Sequence, residues 1–199
     1  MDELLTSLRI IGGRFKNHPL KSPSGSLTRP TMSLMRKAVF DICQMQIEGA
    51  HFLDLFACSG AMGIEALSRG AHHSTFIEKD RRTVQTLQEN LKNLGLMAQS
   101  TVLIGDVFSM VPRLNPDLLI DLIYIDPPYP FMEDPKKPIL SLLQLLEQKA
   151  PTTSQTILFL EERAPGGIHS CLESLTQFTL KNSRRFGGSI LHQLIVASS

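Results

Sequence analysis

The sequence predicts an α/β fold with a mostly parallel, seven-stranded sheet, a late antiparallel hairpin and a small basic N-terminal hairpin or arm. Two observations predict it. From about residue 51, short apolar runs alternate with amphipathic segments, which is the pattern of βαβ units with helices on both faces of a parallel sheet. Near the end, two strand-like runs are separated only by the turn-like link Arg184 to Gly188, which favours an antiparallel pair at the sheet edge.

The N-terminal part of the chain has a different pattern. Residues 9–20 are compatible with a small hairpin, and the Ser-, Pro- and Gly-rich stretch 22–31 is typical of a linker. Apolar residues then recur at helical spacing, and Thr31 can cap that helix. We therefore divide the chain into a basic N-terminal arm or hairpin with its linker, residues 1–31, and one domain, residues 32–199.

The domain begins with strands that alternate with helices. Its strand-like runs are HFLDLFA, STFIEKD, STVLIGD, LLIDLIYIDPP, QTILFLEE, LTQFTLKNS and GGSILHQLIVA. Helices are predicted in GAMGIEALSRG, RRTVQTLQENLKNLG and ILSLLQLLEQKA, with a short one after the third strand. A parallel sheet that ends in an antiparallel hairpin is the arrangement of Rossmann-like class I methyltransferases that use S-adenosylmethionine, and it differs from the nicotinamide-binding layout.

Composition and charge narrow the possible classes of protein. With 199 residues, of which 42% are hydrophobic and 20% charged, the chain resembles a soluble globular domain, which excludes disordered, fibrous and membrane-spanning classes. The formal net charge of +1 is unevenly divided, because residues 1–37 sum to +5 and residues 38–199 to −4. This asymmetry predicts a basic arm on an acidic body.

The cysteines indicate a reducing compartment. Cys43, Cys58 and Cys171 form no CxxC pair, which argues against disulfides and structural zinc. The first residues show no basic segment followed by an apolar one. We expect a cytoplasmic, monomeric protein with no metal and no membrane partner.

Three strand ends predict a nucleoside-like ligand, because ligands of doubly wound sheets bind outside the carboxyl ends of the strands. The first strand ends in the loop Asp54 to Gly60, where small residues and a helix N-terminus let backbone N–H groups approach a ligand. Glu78 ends the second strand, where a carboxylate can accept both ribose hydroxyls. Asp106 ends the third, where it can accept from an adenine amine while Val107 flanks the ring. No GxGxxG pattern is present, which disfavours a dinucleotide.

The fourth strand ends in Asp126-Pro127-Pro128-Tyr129, which predicts a clamp for an amino group. Successive prolines remove two backbone donors and leave carbonyls free to accept. Asp126 and the Pro127 carbonyl can hold both N–H groups of a nucleobase amine, and Tyr129 offers a face for stacking. During methyl transfer the amine nitrogen becomes positive, so a fixed carboxylate favours the transition state.

These motifs resemble those of the bacterial 16S rRNA (guanine-N2)-methyltransferase family often called RsmD-like. The resemblance runs through Arg9 to Gly13, Thr28 to Thr31, Arg36, residues 54–71, Glu78, Asp106 and Asp126 to Tyr129, and more loosely through Arg185 to Gly187. It implies that S-adenosyl-L-methionine binds at the strand ends and that a flipped guanine lies at Asp126 to Tyr129. The candidate cofactor residues are Asp54, Phe56, Cys58, Ser59, Gly60, Glu78, Asp106 and Val107.

The basic arm predicts contacts with RNA phosphates. The candidate residues are Arg14, Lys16, Lys21, Arg29, Arg36 and Lys37. The resemblance implies that the partner is small-subunit ribosomal RNA or the assembling 30S subunit. A target guanine within structured RNA would have to be extruded to reach Asp126.

Two positions depart from the family pattern. Cys58 replaces the glycine usual in the cofactor loop. If this position needs a positive φ, cysteine costs about 1 kcal/mol or more and weakens cofactor binding. Lys37 stands where the family commonly has an acidic residue, which makes the arm more basic.

Two other functions remain open. Clamps of this type also serve adenine N6 and cytosine N4 in DNA, although the short chain leaves no room for a separate target-recognition domain. The second alternative is a non-catalytic, RNA-binding ribosome-assembly factor whose cofactor site has decayed. Cys58 motivates it, whereas Glu78, Asp106 and Asp126 oppose it.

Overall fold

The computed structural model describes residues 8–23, 30–128, 131, 138–168 and 172–197. The helices with described bounds are α1 (Pro30–Ile42), α2 (Ala61–Ser68), α3 (Arg81–Asn93), α4 (Val107–Met110) and α5 (Pro138–Lys149). The strands are β1 (His51–Leu55), β2 (His73–Glu78), β3 (Ser100–Ile104), β4 (Ile120–Ile125), β5 (Thr152–Arg163), β6 (Phe178–Phe186) and β7 (Ser189–Val196). None of the helices in these ranges is long and apolar enough to cross a membrane.

The seven strands form one sheet in the order β3-β2-β1-β4-β5-β7-β6. Neighbours among β1 to β5 pair in parallel, whereas β7 is antiparallel to both β5 and β6. The predicted fold class is therefore confirmed. The strand order reverses between β1 and β4, so the carboxyl ends of these two strands flank the crevice in which such sheets bind ligands.

The link between the last two strands is shorter than predicted. β6 continues through Arg184 and Arg185, and its last residue, Phe186, pairs with Ser189. Only two glycines remain for the turn, and Gly187 has a φ of 56°. Two-residue hairpin turns need positive φ values, which glycine adopts without strain. The sequence suggested a longer turn because charged residues next to glycines resemble a loop.

Hydrophobic side chains fill both faces of the sheet. One core cluster includes Phe40, Phe52 and Phe76, and the other includes Leu53 and Leu142. Successive residues of a strand point to opposite faces, so a strand covered on both sides is apolar throughout. All five residues of β1 are buried for this reason.

The predicted N-terminal hairpin is present and packs against the body. Arg9 and Pro19 form an antiparallel bridge, and Leu8, Ile10 and Leu20 join the core cluster that contains Phe40. The backbone N–H of Arg14 also donates to the carbonyl of Ser68 at 2.8 Å, at the end of α2. The basic side chains of the hairpin therefore project from a fixed platform.

Candidate active site

The loop that follows β1 turns tightly at the carboxyl end of that strand. Phe56, Cys58 and Gly60 have φ values of 60°, 50° and 81°. The φ of Gly60 favours glycine, and a Cβ there would also lie 2.2 Å from Leu87 Cδ1, so that the buried Leu87 side chain would have to shift. Asp54 is 2% exposed, and its Oδ2 accepts from the N–H of Gly63 at 2.9 Å, which ties the strand end to the first turn of α2.

Cys58 adopts the positive φ that makes a side chain costly there. Its side chain is exposed at the loop surface, and its backbone N–H donates to Glu78 Oε2 at 2.9 Å. Loss of hydration raises the pKa of the Cys58 thiol, and the carboxylates of Glu78, Asp54 and Asp126 raise it further, against a hydrogen bond from the backbone of Ser59. The thiol is therefore protonated at neutral pH and does not act as a thiolate nucleophile.

Glu78 and Asp106 lie at the two neighbouring strand ends, as the sequence predicts. Glu78 is partly exposed and accepts from the N–H of Asp80 through Oε1. Asp106 is exposed and caps α4, because its Oδ1 accepts from the N–H of Phe108 at 3.0 Å. The structure thus places the carboxylates of Asp54, Glu78 and Asp106 at the carboxyl ends of three adjacent parallel strands.

Val107 does not present the surface that the sequence suggests. Its side chain is 3% exposed and belongs to a core cluster. Phe108, the next residue, is only partly buried. Its ring stacks with that of Phe131 at a centroid distance of 6.0 Å, and Phe131 also meets Phe56 edge-on at 5.0 Å. Phe108 is therefore better placed than Val107 to flank a flat ligand.

The clamp residues follow β4, beside the loop after β1. Pro128 accepts from the N–H of Phe131 at 2.8 Å, whereas no residue in the described ranges donates a hydrogen bond to the Pro127 carbonyl. Asp126 is partly exposed. Burial, and to a lesser extent the nearby carboxylate of Glu161, raise its pKa to about 8. Tyr129 lies outside the described residues.

The buried carboxylates of this edge influence one another. Loss of hydration raises the pKa of Asp54, and the charges of Asp126 and Glu78 add to the increase, against the hydrogen bond from Gly63. Charges act on one another in this way when they are close together or poorly screened by water. The cofactor candidates after β1 and β2 and the clamp after β4 therefore form one acidic site.

Residues 8–195 match the family model described as Conserved hypothetical protein 95. The chain belongs to this family. It is 36% identical over 145 residues to YlbH of Bacillus subtilis, which covers 71% of this chain and 78% of YlbH. Ribosomal RNA small subunit methyltransferase D of Escherichia coli is 30% identical over 162 residues, 81% of this chain and 77% of that protein. The resemblance to the RsmD-like family is thus confirmed.

A solved structure confirms the type of α/β fold. The methyltransferase-family protein yhhF of Escherichia coli superposes with a TM-score of 0.80 at 26% identity, covering 97% of this chain and 99% of that one. The fold is the Rossmann-like fold of class I methyltransferases. Sheets of this kind bind ligands at the carboxyl ends of their parallel strands. In this chain, that edge carries Asp54, Glu78, Asp106 and Asp126.

Four of the predicted RNA contacts have exposed side chains in this family member: Arg14, Lys16, Lys21 and Lys37. Arg14 reaches Gln99 Oε1 at 2.6 Å, and Lys21 pairs with Glu89 at 2.8 Å. Lys37 pairs with Asp41 one helical turn later. Exposed pairs of this kind contribute little energy, so a phosphate can displace the partner. Arg29 lies outside the described residues.

Arg36 is not a surface residue, which corrects its assignment to RNA contact. The residue is 4% exposed. Its Nη2 donates to the Arg9 carbonyl at 2.8 Å, and its Nε lies 3.7 Å from Oε2 of the fully buried Glu65. Glu65 also accepts from the N–H of Ile11 and from Arg69. Arg36 therefore joins α1, α2 and the hairpin inside the molecule.

Glu161 belongs to the site although no sequence motif marks it. It lies near the end of β5, and its Oε2 accepts from the Tyr124 hydroxyl at 2.9 Å. Its charge acts on Asp126. The available signal was an apolar strand that ends in two acidic residues, but only the strand pairing shows which of the two faces the clamp.

Proposed function

We propose that this chain transfers a methyl group from S-adenosyl-L-methionine to the exocyclic N2 amine of a guanine in small-subunit ribosomal RNA. Family membership supports the broader activity of an S-adenosylmethionine-dependent rRNA methyltransferase. The observation that carries the choice of an amine is the Asp126–Pro127 turn, where a partly exposed carboxylate and an available carbonyl follow the same strand.

The side chains and backbone groups at the carboxyl ends of the strands suit S-adenosyl-L-methionine. In this proposal Glu78 accepts hydrogen bonds from the ribose hydroxyls and Asp106 accepts from the adenine amine, while Phe108 and Phe131 offer flat apolar surface. The loop from Cys58 to Gly60 leads into α2. The first backbone N–H groups of a helix can donate hydrogen bonds to a carboxylate, here that of the methionine part of the cofactor. The carboxylate of Glu78, together with that of Asp126 once it has lost its proton, suits a sulfonium cation.

When bound, S-adenosyl-L-methionine supplies a methyl group that the amine nitrogen takes with its lone pair, while the carbon–sulfur bond breaks and leaves S-adenosylhomocysteine. Asp126 and the Pro127 carbonyl hold the two N–H groups in the plane of the base. This orientation points the lone pair of the nitrogen out of that plane and towards the methyl group. Alignment of this kind accounts for a large part of enzymatic acceleration.

Asp126 also acts on charge and protons. Its carboxylate stabilises the positive charge that develops on the nitrogen, and this stabilisation is larger in the transition state than in the ground state. The methylated nitrogen is strongly acidic and then gives up one proton. With a pKa of about 8, Asp126 is deprotonated in a fraction of molecules that grows as the pH rises towards 8, and in that carboxylate form it can accept the proton.

Substrate binding follows from the distribution of basic residues. We propose that Arg14, Lys16, Lys21 and Lys37 contact phosphates of ribosomal RNA or of the assembling 30S subunit, and that the target guanine is extruded towards Asp126. Arg29 stays a candidate for the same role. We further propose that the enzyme acts as a monomer in the cytoplasm.

Methyl transfer to RNA from a strain that lacks the gene tests this function. The purified full-length chain and S-adenosyl-L-methionine labelled in the methyl group should label small-subunit RNA, and digestion should yield N2-methylguanosine. Asp126→Asn should label it at least about a hundredfold more slowly, because the charge on nitrogen is no longer offset. Label on duplex DNA alone would instead identify a DNA amino-methyltransferase.

The positive φ of Cys58 is the observation that favours a non-catalytic RNA-binding factor. Calorimetric titration with S-adenosyl-L-methionine separates the two functions. An enzyme should show saturable heat at micromolar to low millimolar cofactor, whereas no heat up to millimolar concentration would support the binding factor.

A further inference from the structure

The two carboxylates after β4 and within β5 are neighbours across the sheet. Ile125 pairs with Leu160 in the parallel register of these strands. The next positions along the two strands are Asp126 and Glu161, which therefore lie side by side on one face. Both side chains are partly exposed, so both are accessible to a ligand at this edge.

Glu161 is held as an oriented hydrogen-bond acceptor. Tyr124 is 4% exposed, and its hydroxyl donates to Glu161 Oε2. The buried cation of Arg36 lies close enough to interact with Tyr124 electrostatically. No group in the described part of the chain donates a hydrogen bond to Glu161 Oε1. Tyr124 therefore fixes one carboxylate oxygen of Glu161, and the other oxygen can accept a hydrogen bond from a ligand.

We propose that Glu161 reads the target base by accepting from the N1–H of guanine, while Asp126 accepts from the N2 amine. This inference rests on the proposed function. The Watson–Crick edge of guanine carries three N–H bonds, one on N1 and two on N2. The site offers three acceptors in one place, which are Glu161 Oε1, a carboxylate oxygen of Asp126 and the Pro127 carbonyl.

This arrangement explains how the site would distinguish guanine from adenine and cytosine, which the clamp of Asp126 and Pro127 alone does not do. Adenine and cytosine also carry an amine, but the ring nitrogen beside that amine is an acceptor. A second carboxylate at that position would face a lone pair, and two facing acceptors leave both unsatisfied. The pair of carboxylates therefore selects the base that has donors at both positions.

The test compares target RNA with guanine and target RNA with 2-aminopurine at the methylated position. 2-Aminopurine keeps the N2 amine but has an acceptor at N1. The wild-type chain should prefer guanine by about tenfold to a hundredfold in kcat/KM, because in 2-aminopurine the N1 lone pair faces the acceptor oxygen of Glu161 and neither is paired. In Glu161→Gln the amide can either accept or donate, so we expect the preference to fall to about twofold or less, with cofactor affinity unchanged.

Two further variants complete the experiment. Tyr124→Phe, which removes the hydroxyl that orients Glu161, should give an intermediate preference. Glu162→Gln is the matched control, because Glu162 is the adjacent residue on the opposite face of β5 and its Oε2 lies 2.9 Å from His192 Nε2. It should keep the wild-type preference.

The outcomes separate the two proposals. If the wild-type chain methylates guanine N2 but shows no preference over 2-aminopurine, or if Glu161→Gln keeps the full preference, Glu161 does not read the base. If the wild-type chain methylates neither RNA, the proposed function itself is wrong.

Discussion

Cys58 occupies a backbone position that favours glycine. Its φ of 50° places a β-carbon in a left-handed conformation, which costs about 1 kcal/mol. We expect Cys58→Gly to bind S-adenosyl-L-methionine several-fold more tightly by calorimetry, because the loop then reaches its conformation without strain. Cys58→Ala is the matched control, since it keeps the β-carbon and removes only sulfur. Equal tightening in both variants would show that the thiol, and not the backbone, limits binding.

Asp126 should give the reaction a characteristic pH profile. A pKa of about 8 means that the free protein holds this carboxyl group protonated at pH 7 and gains the acceptor form as the pH rises. kcat/KM reports the free enzyme, so it should rise about tenfold per pH unit below 8 and level off above. Glu161→Gln removes the adjacent charge and should move the midpoint to lower pH, whereas Glu162→Gln should not. A flat wild-type profile between pH 6 and 8 would contradict this role of Asp126.

The raised pKa of Asp126 also makes the stability of the protein depend on pH. A carboxyl group whose folded pKa is raised binds a proton more tightly in the folded state. Its contribution to the free energy of unfolding is therefore complete below its ordinary pKa of 3.8 and declines until the pH passes about 8. Asp126→Asn keeps a neutral side chain, so the difference in stability between this variant and the wild type should grow from pH 5 to pH 8.

Arg36 should matter for folding and not for the surface. Removal of one partner from a buried ion pair leaves an uncompensated charge and typically costs about 3–5 kcal/mol. We expect Arg36→Ala to lower the free energy of unfolding by that order in urea denaturation, and the exposed Lys37→Ala to change it by less than about 0.5 kcal/mol. A stable Arg36→Ala that loses RNA affinity would restore the surface interpretation.

At the scale of elements, the sheet was predictable because its strands are buried on both faces. HFLDLFA and LLIDLIYI are almost entirely apolar for this reason, and their ends place Asp54 and Asp126 without any knowledge of packing. Two other features were not predictable. Arg36 lies in a helix in which a basic residue normally faces water, and its burial depends on Glu65 in another helix. Glu161 meets Asp126 only through the pairing of β4 with β5.

The N-terminal hairpin should bind RNA independently of the cofactor. We expect the triple change of Arg14, Lys16 and Lys21 to Ala to weaken RNA binding, and to reduce the slope of log affinity against log salt by up to about 3, one for each lost phosphate contact. Cofactor affinity should stay within about twofold, because the hairpin carries none of the carboxylates. Arg113, Lys149 and Lys181, all exposed on the body, supply a control triple of equal charge. Equal losses in both triples would mean that RNA binding is non-specific.

At the scale of the whole molecule, basic and acidic residues are concentrated in different parts of the chain, for which we propose different functions. The N-terminal 37 residues sum to +5 and the remainder to −4, so a net charge of +1 conceals a basic platform and an acidic edge. A cationic cofactor and a nitrogen that becomes positive favour the acidic edge, while phosphates favour the platform. The core of the hairpin is continuous with that of the body, which fixes the two surfaces relative to each other.

A mass-spectrometric nucleoside map of host ribosomal RNA, with and without this gene, tests the central claim most directly. The account predicts that one N2-methylguanosine in small-subunit RNA disappears when the gene is deleted. It should return with the wild-type gene and not with Asp126→Asn. An unchanged set of N2-methylguanosines in the deletion strain would contradict the account.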